Sequence, residues 1–161
     1  MQQQVLEQVD RQRIVELARN VADIVSITGD EKEIAEYLGS EFDKLGMQVE
    51  YQEVEEGRPN VIGTFKGTGG GAALMFCAHM DHFDNPQDTI VEDDRIYGRG
   101  LVNMKAAFPC YIEAVSAIQK AGVQIKGDLI ISGVVGEIEK AQIGRFQGKA
   151  YRGAGVGARH M

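Results

Sequence analysis

Nine residues, Leu74-Met75-Phe76-Cys77-Ala78-His79-Met80-Asp81-His82, constrain the rest of the chain. An unbroken apolar run, entered from the glycine-rich Gly67-Thr68-Gly69-Gly70-Gly71 and closed by polar residues before Pro86, predicts a buried central strand. Its polar residues lie at the far end. On an extended backbone alternate side chains share a face, so His79 and Asp81 point together while Met80 and His82 point away. An imidazole is a common metal ligand, and a carboxylate on its second nitrogen fixes the tautomer and raises its basicity. His79 is therefore a candidate ligand with Asp81 as its orienter. The same residues also describe a His-Asp pair that merely ends a strand, and both readings stay open on this stretch alone.

Two later stretches carry compatible chemistry. Asp94-Arg95-Ile96-Tyr97-Gly98-Arg99-Gly100-Leu101-Val102-Asn103-Met104-Lys105 is a turn and glycine-rich loop running into a helical pattern. Asp128-Leu129-Ile130-Ile131-Ser132-Gly133-Val134-Val135-Gly136-Glu137-Ile138-Glu139 is a second apolar strand ending in acids. In order and spacing these motifs resemble the zinc-dependent family of aminoacylases, acetylornithine deacetylases and succinyl-diaminopimelate desuccinylases. That family shows a strand ending His-x-Asp, then Gly-Arg-Gly-x-x-Asp-x-Lys, then a strand ending Glu-Glu. The resemblance runs from about Ile24 to the end of the chain.

It implies roles residue by residue. His79 would bind zinc, with Asp81 supporting it, and Glu137 would be the general base that takes a proton from the attacking water. Asn103 stands where the family has a metal-bridging aspartate. A neutral amide oxygen offsets no charge, so one ion or none, rather than a bridged pair, is expected in this chain alone. A helix-capping role for Asn103 is the competing reading. Ile138 occupies the position of a second glutamate, and Glu139 reads as a solvated acid. Arg99 and Lys105 are expected in structural ion pairs.

Periodicity supports an α/β fold. Apolar residues from Val5 to Ser26 follow a helical period, and Ile34, Leu38, Phe42 and Leu45 mark a second helix, started by Thr28 or Asp30 and stopped at Gly46. Met47 to Val54 alternates as a half-exposed strand, followed by a second strand from Asn60 to Lys66, the two forming either a hairpin or separate neighbours in the sheet. Thr89 to Tyr97 predicts a small hairpin, and Met104 to Ala121 a third helix ending at Gly122. The expected architecture is a three-layer sandwich with a mixed, mostly parallel central sheet, zinc-peptidase-like and incomplete at its C-terminus. Residues 1–161 read as a single domain, the N-terminal portion of a metal-binding catalytic domain, without the lid and dimerisation domain of the relatives. The glycine-rich segment after Ala141 shows no period.

With 161 residues, 43% hydrophobic, the chain can form one ordinary core. A net charge of −7 repels nucleic acid and anionic membranes, and neither is an expected partner. Cys77 and Cys110, without metal spacing, read as reduced core thiols, which with a polar N-terminus predicts a cytoplasmic protein. The expected function is one half of a hydrolase of N-acyl amino acids or small peptides. The alternative is a non-catalytic binding or assembly subunit. Expected partners are a complementary C-terminal chain or further copies of itself, joined through the strand edge near Leu129 to Val135.

Overall fold

The computed structural model describes residues 1–138 and 153–161. After a short helix α1 (Gln2–Leu6) come α2 (Arg11–Asp23) and α3 (Lys32–Lys44). The carboxylate of Asp10 accepts the N–H groups of Gln12 and Arg13, stopping one helix from running through the whole Val5 to Ser26 period. At the start of α3 the residue in the capping position is Glu31, with no side-chain cap, whereas the Thr28 hydroxyl is spent on Asp81. The capping position thus falls after both expected residues, Thr28 and Asp30. Its apolar stripe is buried as the spacing predicts: Ile34, Leu38 and Phe42 are fully enclosed.

Strands β1 (Gln48–Glu55) and β2 (Arg58–Phe65) form an antiparallel hairpin, one of the two arrangements that the sequence allowed. They are followed by β3 (Leu74–His79), the exposed hairpin β4 (Ile90–Glu92) and β5 (Arg95–Tyr97), an irregular turn (Leu101–Lys105), α4 (Ala107–Lys120), β6 (Leu129–Val134) and α5 (Val156–His160). The main sheet has the order β1-β2-β6-β3. It is mixed, as expected, but only the β3–β6 pairing is parallel, and β2 meets both neighbours antiparallel. The parallel share is thus smaller than the alternation of helical and strand patterns implied.

Helices α2, α3 and α4 cover one face. Val61, Ile131 and Ala78 point into it against Phe42, Phe108 and Ile112, and each enclosed Val, Ile or Phe side chain contributes about 1.5–3 kcal/mol. Close approach depends on Gly63, where a Cβ would come within 2.7 Å of the Phe42 ring. On the other face lies α5, reached by the Ser132 hydroxyl at the Met161 sulfur and by Asn60 at the Gly157 carbonyl.

One expectation is reversed. The apolar run Leu74–His79 is an edge strand, and β6 is the interior one. Leu74 is 53% exposed and Met75 46%. A continuous apolar run reports that both faces of a strand are suited to burial; it says nothing of which strands flank it. For the same reason Cys77 is exposed rather than a core thiol, and Cys110 is exposed on α4. Among the described residues no helix is long and apolar enough to cross a membrane.

Candidate metal and catalytic site

Three chain segments meet at the C-terminal ends of β3 and β6. β3 ends on His79, which is 5% exposed, and the next turn buries Asp81 completely. The irregular turn brings Asn103 across to His79, with 3.1 Å between Oδ1 and Nε2. Asn103 and Met104 have non-helical backbone, and the peptide bond between them is cis. Helix α4 begins only at Ala107, so Asn103 does not cap it. This excludes the capping reading. From the end of β6, Glu137 places Oε2 3.7 Å from the same His79 nitrogen, its side chain half exposed. Gly136, with φ of 65°, makes the bend that precedes it.

The protonation pattern follows from the partners. His79 Nδ1 lies 3.1 Å from the Asp81 carbonyl and 3.3 Å from its Oδ1, and Nε2 faces Asn103 Oδ1 and Glu137 Oε2, so both ring nitrogens meet acceptors. With the proton on Nδ1, the Nε2 lone pair would join Asn103 Oδ1 and Glu137 Oε2 as three electron-pair donors about one point. Burial opposes charge on His79, but hydrogen bonds to Asp81 and Asn103 and the charges of Asp81 and Glu137 outweigh it, so its pKa is raised. Asp81 is the opposite case. Burial would raise its pKa, yet His79, the Thr28 hydroxyl and the N–H groups of Glu137 and Ile138 hold it below the usual carboxylate value.

Asp81 thus does more than orient an imidazole. Its two oxygens accept from Thr28 Oγ1 at 2.6 Å, Glu137 N at 3.0 Å and Ile138 N at 2.9 Å, pinning the turn after β6 to the histidine strand. A second buried carboxylate supports it. Glu31 Oε1 accepts from Gly136 N at 3.1 Å, and the Arg58 guanidinium grips both Glu31 oxygens at 2.7 and 2.8 Å. Three successive N–H groups, from Gly136 to Ile138, are therefore held by two carboxylates from other parts of the chain.

Sequence reasoning missed Thr28, Glu31 and His82. His82 is buried, its Nε2 accepting from Ser26 N at 3.0 Å and its Nδ1 donating to the Phe83 carbonyl, and burial lowers its pKa. Lys105 is fully buried without an ion pair. It donates to the Ile24 carbonyl and Ser26 Oγ, and burial, aided by the nearby charge of Arg99, lowers its pKa to about 7. Neither Lys105 nor Arg99 is ion-paired among the described residues, contrary to expectation. Ile138 is buried and contributes its N–H, not a ligand. Glu139 lies outside the described residues. A cavity of about 230 Å³ opens beside the site, lined by His82, Phe83, Gly100, Val102, Asn103 and Ile138.

The donor set fits part of a zinc site. Imidazole nitrogen and carboxylate oxygen are ordinary zinc ligands, and ligands about 2.0–2.2 Å from one ion stand roughly 3.0–3.5 Å apart, close to the separation of His79 and Asn103. Among the described residues no three His, Cys, Asp or Glu side chains gather into a metal-holding group. His79 and Glu137 are joined instead by an amide.

The strand ends of this α/β sheet bring together a histidine, its aspartate and a glutamate. Residues 75–149 match the family described as Peptidase family M20/M25/M40. The chain is 30% identical over 115 residues to the N-formyl-4-amino-5-aminomethyl-2-methylpyrimidine deformylase of Bacillus subtilis, covering 65% of this chain and 27% of that enzyme. It is 37% identical over 94 residues to the acetylornithine deacetylase of Vibrio campbellii, covering 53% and 24%. In structure it resembles a tripeptidase from Staphylococcus aureus, with a TM-score of 0.77 at 24% identity, covering 96% of this chain and 40% of that one. The chain is a relative of the M20 peptidases and spans about a quarter of the length of these two curated enzymes.

Proposed function

We propose that this chain provides part of the active site of a metal-dependent hydrolase that cleaves the amide bond of N-acyl amino acids or small peptides. The observation that carries the reading is the convergence of His79 Nε2, Asn103 Oδ1 and Glu137 Oε2, three electron-pair donors facing one another. His79, with Asn103 beside it, would hold one zinc ion, whose chemistry when bound is to polarise an amide carbonyl and make water more acidic. Asp81 keeps the His79 proton on Nδ1 and fixes the turn that carries Glu137. Glu137 takes a proton from the attacking water and returns it to the leaving amine, a task suited to a half-exposed carboxylate 3.7 Å from His79 Nε2. The chain acts in the cytoplasm, and a complementary chain or a second copy supplies the surface it leaves uncovered.

The alternative, a binding or assembly subunit on the same scaffold, is favoured by two substitutions at the site: Asn103 brings no charge, and Ile138 brings no donor side chain. Zinc titration by calorimetry decides between them. Hydrolytic ancestry retained in function requires zinc binding that His79→Ala abolishes, together with turnover of an N-acetyl amino acid once the ligand set is complete. Absence of zinc binding in the unmutated chain selects the alternative.

A further inference from the structure

The turn that carries Glu137 is gripped from outside on both edges of its backbone. Its four successive N–H groups go to three side chains. Val135 N donates to Asn60 Oδ1 at 3.1 Å, Gly136 N to Glu31 Oε1 at 3.1 Å, and Glu137 N and Ile138 N to the two oxygens of Asp81 at 3.0 and 2.9 Å. The carbonyls are taken by the glycine-rich segment that shows no period in the sequence. Gly157 N donates to Val135 O at 3.0 Å, and Gly155 N and Val156 N donate to Gly136 O at 2.7 and 3.2 Å.

Two consecutive peptide groups are therefore held at both ends. The Val135 carbonyl and Gly136 N–H belong to one planar unit, and the Gly136 carbonyl and Glu137 N–H to the next. Neither plane can rotate without breaking a bond on each side, and the second plane fixes the Cα of Glu137. Asn60 ties the two edges together. It is fully buried, and while its Oδ1 accepts from Val135, its Nδ2 donates to Gly157 O and Gln52 Oε1, both at 3.0 Å.

Two glycines of the segment are required on different grounds. A Cβ at Gly157 would lie 2.5 Å from Asn60 Oδ1 and 2.6 Å from both N and O of Val135, well inside van der Waals contact, so a side chain there must push the turn away. At Gly155 the φ of 80° favours glycine, but a Cβ would meet nothing within 4 Å.

We propose that Gly157 and Asn60 are positioning residues for Glu137: together they close the segment after Ala141 onto the turn and so aim the carboxylate at His79 Nε2, 3.7 Å away. The use of that aim in proton transfer rests on the hydrolytic reading, where a displacement of about 1 Å costs on the order of 100-fold in rate. The aim itself is a matter of geometry and needs neither metal nor substrate to be measured.

The test is nuclear magnetic resonance on the isotopically labelled, metal-free full chain. A nuclear Overhauser contact between the Glu137 side chain and the His79 ring is expected in the unmutated protein. Gly157→Ala should abolish it, and should speed amide exchange at Glu137 and Ile138 by about tenfold more than at Ile131 in the middle of β6. Gly155→Ala strains the backbone without touching the turn and should keep the contact, which separates positioning from a general loss of stability. If Gly157→Ala does not fold, Asn60→Ser, which removes the bonds to Val135 and Gly157 and adds no atom, should abolish the contact instead. A contact absent from the unmutated chain, one that survives both Gly157→Ala and Asn60→Ser, or one lost equally in Gly155→Ala overturns the proposal. Zinc titration of the unmutated chain tests the hydrolytic reading separately, and its failure would leave these contacts unchanged.

Discussion

The carboxylate of Asp81 accepts the backbone N–H of Glu137 at 3.0 Å, so the residue beside the His79 imidazole also holds the backbone that carries Glu137. Asp81→Ala therefore acts on both. Zinc affinity should fall by about 10–100-fold, the usual effect of losing the group behind a ligand. Thr28→Val removes one hydrogen bond to the same carboxylate and should cost about 1.5–3 kcal/mol of stability with a smaller change in zinc affinity. Calorimetry and urea denaturation on both variants check this. Equal effects on metal binding would show that Asp81 contributes stability alone.

Zinc binding should weaken as the solution is acidified, with the loss beginning above pH 6.5. Zinc must displace a proton from His79, and its hydrogen bonds and neighbouring acids raise the pKa of that imidazole in the folded chain. Calorimetric titrations in buffers of different ionisation enthalpy should register protons released per zinc bound. An affinity flat from pH 5 to 8 would exclude His79 as a ligand.

Asp81 gives the opposite dependence in the metal-free chain. A carboxylate whose folded pKa lies below its unfolded value contributes stability that is fully present above about pH 4 and disappears as pH falls through the folded value. Asp81→Asn should flatten the acid limb of a plot of midpoint against pH.

Lys105 supplies a contrasting alkaline signature. Its pKa of about 7 in the folded chain, against about 10.4 when unfolded, means that the unfolded chain binds more protons between those limits. Stability contributed through this group should rise with pH across that window, by at most about 1.4 kcal/mol per pH unit. Lys105→Met should remove the slope. Thermal midpoints at pH 7 and pH 9 for the two chains provide the comparison.

Arg58 and Glu31 form a pair with 6% and no side-chain exposure, and Glu31 also anchors Gly136. Arg58→Ala leaves a buried carboxylate without its guanidinium and should destabilise the chain by about 3–5 kcal/mol. Denaturant midpoints measure it, and a change under 1 kcal/mol would mean that water replaces the arginine.

Local pattern in the sequence was enough for the elements themselves. The stripe Ile34, Leu38, Phe42, the alternation in β1, the apolar β3 and β6, and the neighbouring His79 and Asp81 all follow from periods of 3.6 and 2, because those periods record which face of an element is buried. The placement of Glu137 at a strand end was legible for the same reason. Tertiary structure alone decided the rest. Asn103 reaches His79 across 24 positions, and Asp81 reaches Ile138 across 57, separations at which no period carries information. Which strand became the edge was likewise hidden, since β3 and β6 are equally apolar and only the antiparallel return of β2 onto β6 leaves β3 outside. Thr28 and Glu31 look like ordinary turn residues until the chain folds back. Burial then makes their hydrogen bonds obligatory, because an unpaired carboxylate or N–H in the interior is far more costly than one in water.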